Sequence, residues 1–497
     1  MNYAIAVLDI GKTNKKLVIY DNNLKQIDSI YSSFPTIKYK DLDVEDTRGI
    51  NSWFLEGLKT MGEKYPIKVI SVTTHGATGV CIDKNGKPSV PVVAYTNEVD
   101  DTFHEEFYNL VGERNDLQIK TATVEIKPLI NYAKLLYFLK KRFPNDFEKT
   151  EKILLYPQYF SYTLTEKTSA DFTYAGCHSY LWDFKEWRWS DVAAKLDILS
   201  KLPKNINKPG DILGKISKNI VDQTNLNPDT IVTTGVHDSN SSLLPYLING
   251  KENFILNSTG TWCVVMHPTK KLSFTKEELG KMVFYNISAN KDLVKTAIFM
   301  GGLEFETYTD ILKKLHARDD YPELNIKLTE QILNESSNFI LPGVVKGAGQ
   351  FPDSEPRIVE NDKVFQLTEV QKGINIPEFF GDYEKAYHIL ILSLVLQTKV
   401  SIERVNAPAN SPIYIEGGFR HNKSYIKLIA SLFPSNPVYI TNIAEATSFG
   451  AALLGKGAYE GKENKYLKEF VNIDSRKIEP VKIDGFERYF EEFLRKL

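Results

Sequence analysis

Cysteine is scarce in this chain: three residues among 497, Cys81, Cys177 and Cys263, with no CxxC pair. So sparse and odd a set excludes a disulfide framework and suits a reducing compartment. Apolar or small neighbours around each thiol predict buried packing residues. Long hydrophobic runs are missing too. The longest, around His388 to Leu396, falls far short of the ~20 residues that span a bilayer. The stretch Met1 to Asp9 has no basic segment and meets an acid too early for a signal peptide. The expectation is a cytoplasmic protein without a membrane partner.

Charge of one sign is also lacking, with 61 basic against 63 acidic residues and a net charge of −2. Nothing in that balance calls for nucleic acid. The eight histidines show no HxH or HxxxH spacing, so no histidine metal centre is expected. A Walker A loop is absent, because the stretch from Gly343 to Gly349 lacks the Gly-Lys-Ser/Thr ending. No GxGxxG follows the first apolar strand, which disfavours a dinucleotide-binding dehydrogenase.

The chain exceeds the size at which one hydrophobic core keeps growing, so two domains are expected. Ala4 to Leu8 reads as a buried strand, Asp9-Ile10-Gly11-Lys12-Thr13-Asn14-Lys15-Lys16 as a polar tip, and Leu17 to Tyr20 as a returning strand. Phe254 to Asn257, Ser258-Thr259-Gly260-Thr261 and Trp262 to Met266 repeat that device. The repetition predicts an internal duplication, with a tight boundary near residues 240–255. A further hairpin is expected from Val80 to Ala94, turning at Lys84-Asn85-Gly86-Lys87. Helices are expected from Ile130 to Arg142 and Pro157 to Leu164. A core or interface helix is expected from Tyr383 to Val405.

Small-residue turns with exposed amides can cradle phosphate oxygens, and both hairpin tips qualify. Lys12 and Lys16 would add positive charge to the first. Asp9, ending a buried strand, is suited to hold Mg²⁺ through water. Asp238 follows the strand Ile231 to Thr234, in Gly235-Val236-His237-Asp238. A carboxylate there can take a hydroxyl proton as general base, or can cap the following helix. Gly417 and Gly418 precede a helix from about Lys423, where a flat nucleotide base could lie against the backbone. The cluster from Trp182 to Trp189 reads either as a stacking surface for a sugar ring or as a packed edge.

Assembled in this order, the motifs resemble those of the FGGY carbohydrate kinases, of the actin-like, ribonuclease-H-like ATPase superfamily. The resemblance runs from Ala4 to about Ala458. It rests on Asp9 to Asn14, Gly79 to Ala94, Tyr156 to Thr165, Gly235 to Asp238, Asn257 to Trp262, Gly417 to Asn422, and Glu445 to Ala452. It implies an α/β fold of two ribonuclease-H-like domains with an interdomain active-site cleft. Residues 1–245 would carry the sugar site and first phosphate hairpin, and 246–497 the nucleotide site. The implied activity is phosphorylation of a small sugar with ATP and Mg²⁺.

By position, the resemblance makes Asp238 the base and Asp9 the Mg²⁺-organising carboxylate. Lys12, Thr13, Asn14 and Lys16 would line one phosphate loop, and Ser258, Thr259 and Gly260 the other. Gly417, Gly418 and Asn422 would border the adenosine. His75, Asn97, Glu98, Trp182 and His237 are expected around the sugar. The spelling of these sites is most similar to rhamnulose and fuculose kinases, so a 6-deoxy-ketohexose is the first substrate expected. A pentulose such as xylulose or ribulose, or a non-enzymatic actin-like nucleotide switch, stands as the alternative. A homodimer is left open.

Overall fold

The computed structural model describes residues 2–250, 253–443 and 445–497. Two seven-stranded sheets form its frame. In the first, β1 (Ala4–Ile10), β2 (Asn14–Asp21) and β3 (Gln26–Ser33) run as an antiparallel meander. β4 (Ile67–Thr74) lies parallel to β1, and β5 (Ile231–Thr233) lies parallel to β4. Strand Ile212–Lys215 closes the edge antiparallel to β5.

The second sheet repeats this plan. Here β6 (Ile255–Thr259), β7 (Cys263–Thr269) and β8 (Leu293–Phe299) lie side by side antiparallel, with Val283–Ile287, which precedes β8 in the chain, at the outer edge. β9 (Ile413–Gly417) is parallel to β6 and β10 (Val438–Thr441) to β9, with Ser475–Ile478 antiparallel at the edge. The repeated hairpin in the sequence is thus the first element of a repeated sheet. Strands β1 and β4 are buried throughout or nearly so, which explains their continuous apolar runs.

Five helices position the site: α1 (Asp238–Ile248), α2 (Gly301–His316), α3 (Tyr383–Arg404), α4 (Lys423–Leu432) and α5 (Ala446–Glu460). The expected central helix is α3, buried on nearly every side, as its even apolar distribution requires. The expected helices nearer the start are Tyr132–Arg142 and Tyr156–Thr165.

Between the sheets, α1 and α5 lie in direct contact. A side chain at Gly450 would meet the backbone oxygen of Ser241 at 1.9 Å, and one at Gly455 would press on Ile5, Val69 and Ser71 of the first sheet at 3.0–3.1 Å. Ser241 Oγ also donates to the Thr447 carbonyl at 2.7 Å. One apolar cluster runs through this seam. It contains Ile5 and Val7 of β1, Leu243 and Leu244 of α1, Leu256 of β6, and Ala451 and Ala452 of α5.

The expected hairpin from Val80 to Ala94 does not form as a ladder. Gly79–Ile82 pairs instead with Lys152–Leu155, and the return arm makes only isolated bridges, Ile82 to Pro88 and Val93 to Val44. Pro88 and Pro91 remove backbone donors from that arm, so it cannot continue a ladder. The turn itself is real, with Asp83 Oδ1 accepting from the Asn85 and Lys87 amides.

The seam yields a stability prediction. Gly450→Ala places a methyl group where Ser241 leaves no space and is expected to cost about 1–3 kcal/mol, read as a lowered urea midpoint. An unchanged midpoint would mean that α1 and α5 separate without cost.

Candidate active site

The chemistry-bearing residues gather at the C-terminal ends of the parallel strands, the edge where open α/β sheets place ligands. Asp9 is the penultimate residue of β1. Asp238 follows the two-residue strand Val236–His237, which pairs with Thr73 and Thr74 at the end of β4. It is the first residue of α1, with His237 in the cap position. Its carboxylate accepts from the adjacent Ser239 amide at 2.6 Å. Asp238 is thus not the N-cap residue, although it bonds one first-turn amide of α1.

Burial pushes the Asp238 carboxyl up to about 6. It pushes Asp9 up to about 7; Lys16 pulls Asp9 down, and the like charges of Asp238 and Glu445 push it further up. These shifts tie Asp9, Asp238, Glu445 and Lys16 into one electrostatic group. Glu445 holds a left-handed backbone (φ 53°) just before α5 and accepts from Lys16 Nζ at 2.5 Å. An acid group of this kind suits a hydrated divalent cation, whose charge would offset the crowded carboxylates. Asp9 is the residue at its centre.

The first tip is shaped by a residue the sequence reading passed over. Lys15 is fully buried, and its ammonium donates to the carbonyls of Gly11 and Lys12 at 2.9 and 2.8 Å. Those carbonyls are held on the inside of the turn. Thr13 and Asn14 are exposed. Lys12 and Lys16, expected to bring charge to a phosphate, each form an ion pair. Lys12 pairs with the buried Glu45 and lies over the Tyr95 ring at 4.8 Å, and Lys16 is taken by Glu445.

At the second tip, Thr259 and Gly260 line a cavity of about 550 Å³ with Gly302, Phe305, Tyr321, Tyr387, Gly418 and Asn422. Stacked Tyr321 and Tyr387 give it an aromatic wall. Asn422 accepts from the Tyr425 amide as the cap of α4 and donates to Tyr387. The first residues of α2 press on the tip: a side chain at Gly302 would meet the Gly260 carbonyl at 2.1 Å. A helix N-terminus therefore faces this loop. Ser258 is turned to Glu416. Gly417 takes φ +80° where the chain passes Thr259 too closely for any side chain, so it serves the backbone while Gly418 faces the cavity.

On the first-domain side, His75, His178 and His237 surround Gly76. Burial holds all three imidazoles down at about 3, and so neutral. His75 packs edge-on against Tyr95, and its Nε2 is buried without a partner. The Asp238 charge contributes to raising Tyr95, after burial, so the ring belongs to the same pocket.

The remaining expected sugar contacts divide. Glu98 is exposed. Asn97 spends its amide on the backbone, accepting from the Asp43 N–H and donating to the carbonyls of Asp43 and Ala94. Trp182 is buried, edge-on to Trp187 and Trp189 across the paired strands Trp182–Asp183 and Arg188–Trp189. The packed-edge reading of that cluster is therefore the one the structure adopts. Tyr95, His178, Glu45 and Glu445 enter the site from outside the expected set.

Known proteins resemble this chain in sequence and in fold. Residues 4–245 match the N-terminal domain of the FGGY family of carbohydrate kinases, and residues 251–464 match the carbohydrate kinase FGGY C-terminal domain. A rhamnulokinase of Halalkalibacterium halodurans is 26% identical over 271 residues, which is 53% of this chain and 56% of that protein. The chain thus spans about half the length of that relative. A probable L-xylulose kinase of Haemophilus influenzae is 21% identical over 100% of the chain and 98% of its own length. An L-fuculokinase of Escherichia coli is 20% identical over 91% of each. In fold, the chain is similar to a carbohydrate kinase from Novosphingobium aromaticivorans (TM-score 0.78, 22% identity, 99% and 98% of the two chains). It is likewise similar to a xylulose kinase from Lactobacillus acidophilus (TM-score 0.79, 17% identity, 99% and 96%). With the two domain matches together spanning most of the chain, it belongs to the FGGY family of carbohydrate kinases.

Proposed function

We propose that this kinase transfers the γ-phosphoryl group of ATP to a hydroxyl of a small ketose, with Asp238 as general base. The observation that carries the reading is Asp238 itself: a half-buried carboxylate raised to about 6, one residue past the cap position of α1, beside Asp9 at the strand ends. A base whose pKa lies near working pH is both deprotonated and able to accept a proton. The sugar hydroxyl gives its proton to Asp238 as its oxygen attacks phosphorus, and ADP leaves with the electrons of the broken P–O bond.

The adenosine belongs in the aromatic cavity beside Gly418 and Asn422. Thr259, Gly260 and the start of α2 then meet the phosphates from one side, and Thr13 and Asn14 from the other. Backbone donors and a helix N-terminus suit such an anion. Asp9 would hold Mg²⁺, which supplies neutralisation of phosphate charge. His75, Tyr95 and His237 are the proposed sugar neighbours. The neutral, buried ring nitrogens of the two histidines and the Tyr95 hydroxyl suit hydroxyl groups better than a charged substrate.

A 6-deoxy-ketohexose such as L-rhamnulose or L-fuculose is the first substrate class, supported by the motif spelling and by the rhamnulokinase and fuculokinase relatives. A pentulose is the second reading, favoured by the end-to-end match to a probable L-xylulose kinase. ADP release with MgATP across L-rhamnulose, L-fuculose, D- and L-xylulose, L-ribulose and glycerol separates them. Stimulation by a deoxyketose is expected, and stimulation by xylulose alone would replace that class with the pentulose.

Two substitutions test the residue roles. Asp238→Asn should fold, bind ATP and lose at least ~10²-fold in turnover; turnover near wild type would remove Asp238 from the role. Gly418→Leu should weaken ATP binding by at least about tenfold, or about 1.4 kcal/mol. The nearest atom to a Cβ there is 3.9 Å away, so the variant should fold. Unchanged affinity by calorimetry would move the adenosine elsewhere.

A further inference from the structure

The scattered cysteines and histidines of the sequence meet at one place on the edge of the proposed sugar pocket, where Cys177 and His178 have no assigned part in phosphoryl transfer. Cys177, His178 and His237 bring one thiol sulfur and two ring nitrogens within 4.8 Å of one another. His237 Nε2 is 3.4 Å from Cys177 Sγ and 3.3 Å from Asp238 Oδ1. Zinc bonds of about 2.3 Å to sulfur and about 2.0–2.2 Å to nitrogen and oxygen give tetrahedral edges of about 3.4–3.6 Å. Both separations match such edges to within about 0.2 Å.

Gly76 makes the opening. The point where its Cβ would stand lies 2.9 Å from both His178 Nε2 and His237 Nε2, so the two nitrogens converge on a space that only glycine leaves. His178 holds φ 37°, a strained conformation for a residue with a side chain. Cys177 and His237 are buried while His178 is half-buried, which leaves a way in. Behind His237, the Asn240 amide lies 3.3 Å from Nδ1, and its own Oδ1 is buried without a partner. A half-turn of that amide, which gives up its bond to the Thr173 carbonyl, supplies the acceptor that an Nδ1–H needs when Nε2 binds a metal.

We propose that Cys177, His178 and His237 form a binding site for a thiophilic divalent cation of the zinc class, with Asp238 as fourth ligand, and that occupancy inhibits the enzyme. Binding forms a metal–sulfur bond and releases the thiol proton to solvent. It also takes the Asp238 carboxylate out of reach of a sugar hydroxyl. Mg²⁺ does not compete, because it prefers an oxygen octahedron to sulfur and nitrogen. The inhibition half of the proposal rests on Asp238 being the base. The binding half does not.

The test uses the full-length protein and two readouts. Cobalt(II) titrated alone should give an ultraviolet thiolate-to-cobalt charge-transfer band, which Cys177→Ala abolishes. Zinc should inhibit sugar-dependent ADP release, with at least about tenfold lower potency against Cys177→Ala, whose activity without zinc is unchanged. Absence of the band in the wild type, or its persistence in Cys177→Ala, would overturn the site. A band that depends on Cys177 beside equal zinc inhibition of both proteins would overturn the inhibitory role. Should no sugar stimulate ADP release, the cobalt band still decides the site, so its failure is distinct from failure of the kinase reading.

Discussion

The Ser241 carbonyl leaves no room for a side chain at position 450, and the two domains meet at that contact. Helix α5 falls within the C-terminal family match yet packs against β1 and β4 of the first sheet through Gly455. Small residues along one helix let backbones approach to a distance that larger ones forbid. The seam therefore fixes more than stability. Asp238 begins α1 and Glu445 precedes α5, so the spacing of these two helices sets the separation of two acids that bear on Asp9.

That separation governs the electrostatics. Carboxylates buried near one another resist ionisation, since each loses water and gains a like-charged neighbour. Asp9 titrates high for both reasons and Asp238 for loss of water alone, and Lys16 compensates Asp9 only in part because Glu445 shares it. The arrangement is costly by itself and would be relieved by a cation. The neutral imidazoles around Gly76 belong to the same pocket, and their nitrogens complement hydroxyls or a soft metal rather than an anion.

Wherever function depended on a short stretch of backbone, the sequence was readable. The tip from Ser258 to Thr261 and the turn before Asp238 are built from residues within a few positions of each other, and both lie at strand ends. Readings that needed a partner from far along the chain fared differently. Lys12, expected at a phosphate, is paired with Glu45 from 33 positions away. Asn97 looked available until Asp43 and Ala94 used its whole amide. Lys15, equally basic and adjacent, turned inward to hold the tip.

By itself the sequence determined the duplicated strand–tip–strand plan, the two-domain α/β class and the family, because periodicity and ordered local motifs survive without knowledge of long-range contacts. Tertiary structure alone decided which strand would pair with Gly79–Ile82, where Trp182 would pack, and that Cys177 and His178 would meet His237 across 60 residues of chain. The physical reason is the same in each case. A side chain's chemistry is set by the groups that remove its water, and in a chain of 497 residues those groups come from segments that no local spacing connects.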